Sequence, residues 1–326
     1  MILAIIKGIL LTKLPGAQDR WELGRPDFLS TIARFVRQSK TVQMCLPAFP
    51  FKSVNKVEKV LGTFPDKAEE LSLRRLNDIC MSIGKIYPPG AELLIISDGL
   101  VYSDLFTTPD REVWAYGEAL RALARERGFS CIRFSRLRDL VDVPHLPERL
   151  DEVTYVGNAF NFRRELMNLY ADPAFDPDKA VEENEDVLLT YLGYTRFLKN
   201  DLRHIFPSGP GGSARQYKRN VKYIAKQMII RGNAFAAAVK ARFPHHLRLS
   251  IHQSVGEHKI SINLLPTATT YTTPWHCAVA FRSDGTLISA PKIEFENDPD
   301  FELVYEDGRP SYFREVAKGA VEMPAV

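Results

Sequence analysis

The chain has 326 residues, 45% of them hydrophobic and 25% charged, and carries a formal net charge of +3. That length buries a substantial core, in one large domain or two small ones. So slight a basic excess gives no argument for a nucleic-acid partner; it suits an enzyme that handles an anionic metabolite.

The start, Met1-Ile2-Leu3-Ala4-Ile5-Ile6, is apolar, but Lys7 and Lys13 interrupt it. It is too short to cross a bilayer, and no later segment approaches ~18 uninterrupted apolar residues. The expectation is a cytoplasmic protein with no membrane partner. Residues 1–27 read as an irregular lead-in, 28–316 as one α/β domain and 317–326 as a tail.

Asp27 to Val36 carries Phe28, Ile32 and Phe35 at helical spacing. Thr41 to Phe49 is an apolar run closed by Pro50, which predicts a buried strand. After Pro65, Asp66 and Glu69 form a capping box ahead of an apolar stripe, Leu73, Leu76, Ile79, Cys80 and Ile83. Leu93-Leu94-Ile95-Ile96 then reads as a central parallel strand ending at Ser97-Asp98-Gly99. A helix follows from about Arg111 to Arg127, stopped by Gly128, and a strand from Phe129 to Phe134. This alternation predicts a mainly parallel sheet flanked by helices, with right-handed crossovers.

From Asp178 to Arg242 the pattern is helical, broken by the glycine- and proline-rich stretch Phe206 to Gly212. Beyond Phe243-Pro244 the period becomes two. His246–Gln253 and Lys259–Leu265 read as a hairpin, and Ser283-Asp284-Gly285 and Asp307-Gly308 mark further turns. The C-terminal portion is therefore expected to be antiparallel.

Cys45, Cys80, Cys131 and Cys277 are scattered and form no CxxC pair. They read as small buried thiols, and no zinc site is expected. His245-His246 lacks chelating spacing, so no metal is expected elsewhere. No phosphate-loop, dinucleotide-binding or serine-hydrolase signature is present.

In the predicted hairpin, Leu247, Leu249, Ile251, Ile260, Ile262 and Leu264 share one face. Arg248, Ser250, His252, Lys259, Ser261 and Asn263 share the other. That second face has the character of an anion site with a proton carrier, or else of a solvated outer surface. Asp98 and Asp104 follow the most apolar strand, where open α/β sheets bind ligands, or else they cap and turn the chain. Lys52 and Ser53 follow the first strand and suit a phosphate, or else lie on the surface. Thr273-Pro274-Trp275-His276 either lines a pocket or belongs to the core. Arg215, Lys218, Arg219 and Lys222 form a basic helix face, solvated or gripping phosphate.

Together, several segments resemble the pyoverdine/dityrosine biosynthesis family, the isocyanide synthases. They are Leu46-Pro47-Ala48-Phe49-Pro50-Phe51-Lys52-Ser53, Lys59-Val60-Leu61-Gly62 with Pro65-Asp66, Tyr87-Pro88-Pro89-Gly90-Ala91, Ser97-Asp98-Gly99, Arg248-Leu249-Ser250-Ile251-His252, Thr273-Pro274-Trp275-His276 and Tyr312-Phe313-Arg314-Glu315. The resemblance implies a Rossmann-like fold, no metal or nucleotide cofactor, and ribulose 5-phosphate as co-substrate beside an amino acid. It also implies a tailoring oxygenase or transferase that takes the product onward, a domain some larger relatives carry fused. In that frame His252, Asp98, Asp104 and His276 are the expected catalytic residues. Lys52, Ser53, Arg248, Lys259, Tyr102 and Trp275 are the expected substrate- and phosphate-binding ones. The rival expectations are an N-formyl amino acid synthase and a non-catalytic phosphometabolite-binding protein.

Overall fold

In the computed structural model, which describes residues 1–13, 16–205 and 213–316, the chain begins in a helix where the sequence suggested an irregular lead-in. Helix α1 (Ile2–Lys7) and helix α2 (Trp21–Arg37) precede strand β1 (Val42–Pro47). Ile2, Leu3 and Ile6 of α1 are buried in the main core, because three apolar side chains at helical spacing find the back of the sheet. Helix α2 starts six residues before the expected Asp27 and carries Pro26 inside it.

The α/β alternation follows as the sequence predicts. Helix α3 (Lys67–Ile86) opens on the Asp66–Glu69 capping box and buries the whole Leu73–Ile83 stripe. Strand β2 (Ala91–Ile96), helix α4 (Gly99–Tyr102), helix α5 (Asp110–Glu126) and strand β3 (Ile132–Ser135) come next. A helical block then intervenes, α6 (Glu152–Gly157), α7 (Ala159–Tyr170), α8 (Pro177–Glu183), α9 (Glu185–Asp201) and α10 (Ala214–Arg242). The glycine- and proline-rich stretch between α9 and α10 lies outside the described residues.

Strands β4 (Leu247–Ser250) and β5 (Ile260–Ser261) complete a five-stranded sheet in the order β3-β2-β1-β4-β5, parallel throughout. The predicted hairpin is therefore not one: β4 and β5 run parallel, with Leu249 opposite Ile260 and Ser250 opposite Ser261. The connecting residues 251–259 cross from the end of one strand to the start of the next instead of turning back. Alternation alone does not carry direction, which is why the sequence misled here. The sorting of faces survives: Leu247, Leu249, Ile260 and Ile262 are all buried in the core.

Strands β6 (Ala278–Phe281) and β7 (Leu287–Ala290), helix α11 (Lys292–Glu296) and strands β8 (Phe301–Glu306) and β9 (Arg309–Glu315) form a second sheet, ordered β7-β6-β9-β8. Its two hairpins are antiparallel, as the Asp-Gly turns predict, while β6 pairs β9 in parallel. One face of the five-stranded sheet packs on α1, α2, α3 and α5, and the other on α4, α7, α9 and α10. No helix among the described residues is long and apolar enough to cross a membrane.

Candidate active site

The parallel sheet reverses direction of growth between β1 and β4, since β2 lies on one side of β1 and β4 on the other. Such a switch point opens a crevice beyond the carboxyl ends of the strands. Three segments lie beyond the strand ends there: Phe49–Phe51 after β1, Ser97–Tyr102 after β2, and the 251–259 loop after β4. Gly99 permits the close approach of the first two, since a Cβ at that position would lie 2.4 Å from the Pro50 carbonyl oxygen.

Asp98 contributes the most unusual group. Its Oδ1 is sealed from solvent and has no hydrogen-bond partner among the described residues. Burial pushes its carboxyl up to about 7, only slightly offset by a backbone N–H. Tyr102 stands beside it, hydrogen-bonded to Tyr194 of α9, and burial raises both phenols, with the charge of Asp98 adding to the effect. The Tyr194 ring in turn meets the His252 imidazole edge-on, centroids 5.2 Å apart. Asp98 and His252 thus flank one tyrosine pair.

The cationic end of the crevice holds His252, Lys259 and Arg248. Arg248 donates to the Ala236 carbonyl of α10 at 3.2 Å, and burial lowers its guanidinium below the usual range. Burial also lowers Lys259, with Arg248 repelling it and Asp186 pulling the other way. Burial, then Lys259 and His276, depress His252 to about 3. His252 is therefore a neutral imidazole in the free protein, not the group of ordinary pKa the sequence suggested. Neither Arg248 nor Lys259 forms an ion pair among the described residues. Two cations without an ion-pair partner among the described residues, and a suppressed histidine, make a site that gains by taking up an anion.

His276, in the 3-10 turn Pro274–His276, belongs to a second constellation that sequence reasoning missed. Its Nδ1 lies 3.3 Å from Oδ2 of Asp201 at the end of α9, while Lys59 pairs with the other Asp201 oxygen. Burial would raise Asp201, but Lys59 and His276 hold it down to about 2. Burial, then Lys59, lowers His276. An ionised aspartate on Nδ1 fixes the tautomer and leaves Nε2 free for a proton. Phe197 stacks on the His276 ring at 4.5 Å, so Tyr194, Phe197 and Asp201 form one site-facing stripe of α9 at helical spacing. That stripe was open to a sequence reading, but only its juxtaposition with His276 gives it meaning.

Four expected residues lie elsewhere. Lys52 is fully buried, and its ammonium is held by Asp66 at 2.8 Å, Glu69 at 2.7 Å and the Pro274 carbonyl at 3.2 Å. With three acceptors filled it is a structural cation, not a phosphate ligand. Burial works against its charge, but Asp66 and Glu69 keep its pKa above the ordinary lysine value. Ser53 is buried too, its N–H donating to the Trp275 carbonyl at 2.8 Å. Trp275 packs against Phe49 in the main core, so it lines no substrate pocket. Asp104 is paired twice with Arg231 of α10, at 2.5 and 3.0 Å, and braces that helix on the exposed side. Among the described residues, no group of three or more His, Cys, Asp or Glu side chains is placed to hold a metal ion.

A family model described as pyoverdine/dityrosine biosynthesis protein matches residues 32–304. The chain belongs to this family, the isocyanide synthases. It is 53% identical over 315 residues to the isocyanide synthase-NRPS hybrid crmA of Aspergillus fumigatus, covering 97% of this chain and 20% of that protein. It thus spans about a fifth of that relative's length. It is 34% identical over 286 residues to the L-tryptophan isonitrile synthase AmbI2 of Fischerella ambigua, covering 87% and 81% of the two chains. The crystal structure of PvcA from Pseudomonas aeruginosa superimposes with a TM-score of 0.80 at 32% identity, over 96% of this chain and 99% of that one. Family membership accounts for the parallel sheet, and the crevice at its switch point is where this enzyme family's chemistry is to be sought on this chain.

Proposed function

We propose that this chain converts the amino group of an amino acid into an isocyanide, taking the new carbon from C2 of ribulose 5-phosphate. The observation that carries this reading is a polarised arrangement: a half-buried carboxyl at Asp98, pushed up by burial, on one side of the Tyr102–Tyr194 pair, and the Arg248–Lys259–His252 cluster on the other. An amine and a phosphosugar need those two environments side by side. The family, and relatives named for tryptophan and tyrosine isonitriles, support the same reading.

Arg248 and Lys259 receive the phosphate, and the anion's charge restores the basicity that burial removed from His252. Asp98, with a pKa of about 7, takes the proton from the substrate ammonium. The freed amine attacks the C2 ketone, and the ketone oxygen leaves as water after protonation. His276, oriented by Asp201, carries protons through its Nε2 as the imine rearranges and both C2–carbon bonds break, C1 leaving as formaldehyde and C3–C5 as glycerol phosphate.

The test is incubation with each amino acid and ribulose 5-phosphate, trapping product with a tetrazine and weighing it by mass spectrometry. An isocyanide adduct is expected. A product heavier by the elements of water identifies a formamide and defeats the proposal, as does the absence of any amino acid consumption.

A further inference from the structure

The 251–259 loop carries both His252 and Lys259, yet it contains no regular structure and joins two short parallel strands. From within, only its neck is tied. Ser261 Oγ donates to the His252 carbonyl at 2.6 Å, and Ser254 Oγ meets Ser261 Oγ at 2.7 Å and the Lys259 carbonyl at 3.2 Å. The bend and the adjoining strand β5 are held by residues 10–13 and 20–24, and Val255 N–H also donates to Oδ1 of Asp186 on α9 at 2.7 Å. Leu10 bridges Ile262, Leu11 N–H donates to the Ser261 carbonyl at 2.9 Å, and Gln253 Nε2 donates to the Thr12 carbonyl at 2.7 Å. The Val255 carbonyl accepts from both Lys13 Nζ at 3.0 Å and Arg20 N–H at 2.8 Å. On α2, Gly24 lies so close to the bend that a Cβ there would sit 2.3 Å from the Glu257 carbonyl oxygen and 2.5 Å from that of Gly256. Backbone atoms on both sides leave nothing flexible to yield.

We infer that Lys13 and Gly24 are positioning residues, and that the arm formed by residues 9–13 and 20–24 clamps the phosphate-binding loop in its working geometry. The inference rests on the function proposed above for His252 and Lys259. The arm lies just before the residues that the family model matches, 32–304. The apolar start of the chain serves the same end, since α1 anchors the arm by burying Ile2, Leu3 and Ile6.

Gly24→Ala, Lys13→Met and the conservative Lys13→Arg test this in the full-length chain. For Gly24→Ala and Lys13→Met, the KM for ribulose 5-phosphate should rise by roughly 10- to 100-fold, since displaced positioning groups cost about that much. The KM for the amino acid should hold, and Lys13→Arg should recover the wild-type value. A general folding defect would instead lower kcat through the active fraction and leave both KM values alone. Amide hydrogen exchange over residues 252–259, followed by mass spectrometry, reads the clamp without reference to activity. Faster exchange there in Gly24→Ala and Lys13→Met supports it, and exchange unchanged in both overturns it. Faster exchange with an unchanged sugar-phosphate KM overturns the positioning role. If wild-type protein consumes no ribulose 5-phosphate, the function fails while the exchange result still decides the clamp.

Discussion

Asp98 is stored at a cost. Its folded pKa of about 7 lies above the ordinary 3.8, so the folded state holds that proton more tightly than the unfolded chain does. Stability is therefore greatest at low pH on this account. The penalty accrues as pH rises from 3.8 to about 7 and is complete above. Asp98→Asn should remove it: unfolding in urea should show a gain of about 1–3 kcal/mol at pH 8 and little change at pH 4. The same substitution should lower kcat by about 10²–10⁴. A variant that gains stability and loses turnover would mark a group retained for chemistry alone. Asp201→Asn makes the complementary case. It leaves Lys59 buried without its counter-charge and His276 without its orienting partner, so both stability and kcat should fall, the latter by about 10² or more. Wild-type turnover in this variant would remove the Asp201–His276 pair from the mechanism.

At the scale of the element, the start of α3 does more than cap a helix. Asp66 accepts from Ala68 N–H at 2.9 Å, Glu69 accepts from Asp66 N–H at 3.0 Å, and both carboxylates grip Lys52. Tyr116 of α5 donates to Glu69 at 3.0 Å. Burial and the nearby Glu69 charge raise Asp66 to about 7 against the pull of Lys52, so the cluster depends on its one cation. Lys52→Met should destabilise the protein by about 3–5 kcal/mol, because two buried carboxylates lose their partner. The sugar-phosphate KM of the folded fraction should be unchanged, and a large rise in it would return Lys52 to the phosphate. The capping box, the Leu73–Ile83 stripe and the β1–β3 strands were legible because period and punctuation are local properties. The pairing of β4 with β5 was not, since alternation is the same in either direction. Lys52 and Trp275 were legible as special but not for what, because the partners of Lys52 stand 14 and 222 residues away in the chain. Asp201 was legible only as the last member of a helical stripe with Tyr194 and Phe197, because its partners Lys59 and His276 come from distant parts of the chain.

Across the whole molecule, the two sheets differ in what holds them. The parallel sheet is covered on both faces by helices, whereas the second sheet has β9 in its interior, between β6 and β8. The family model matches residue 32 to residue 304, stopping inside β8 and before β9. A chain trimmed to that span would lose a central strand, leave β6 and β8 with open edges, and strip Ile2, Leu3, Ile6, Trp21 and Phe28 from the core. Such a fragment should aggregate on expression, and thermal unfolding should show no cooperative transition. Anyone moving this fold into another protein would therefore set the cut points by strand neighbours, well outside the stretch that the family model matches.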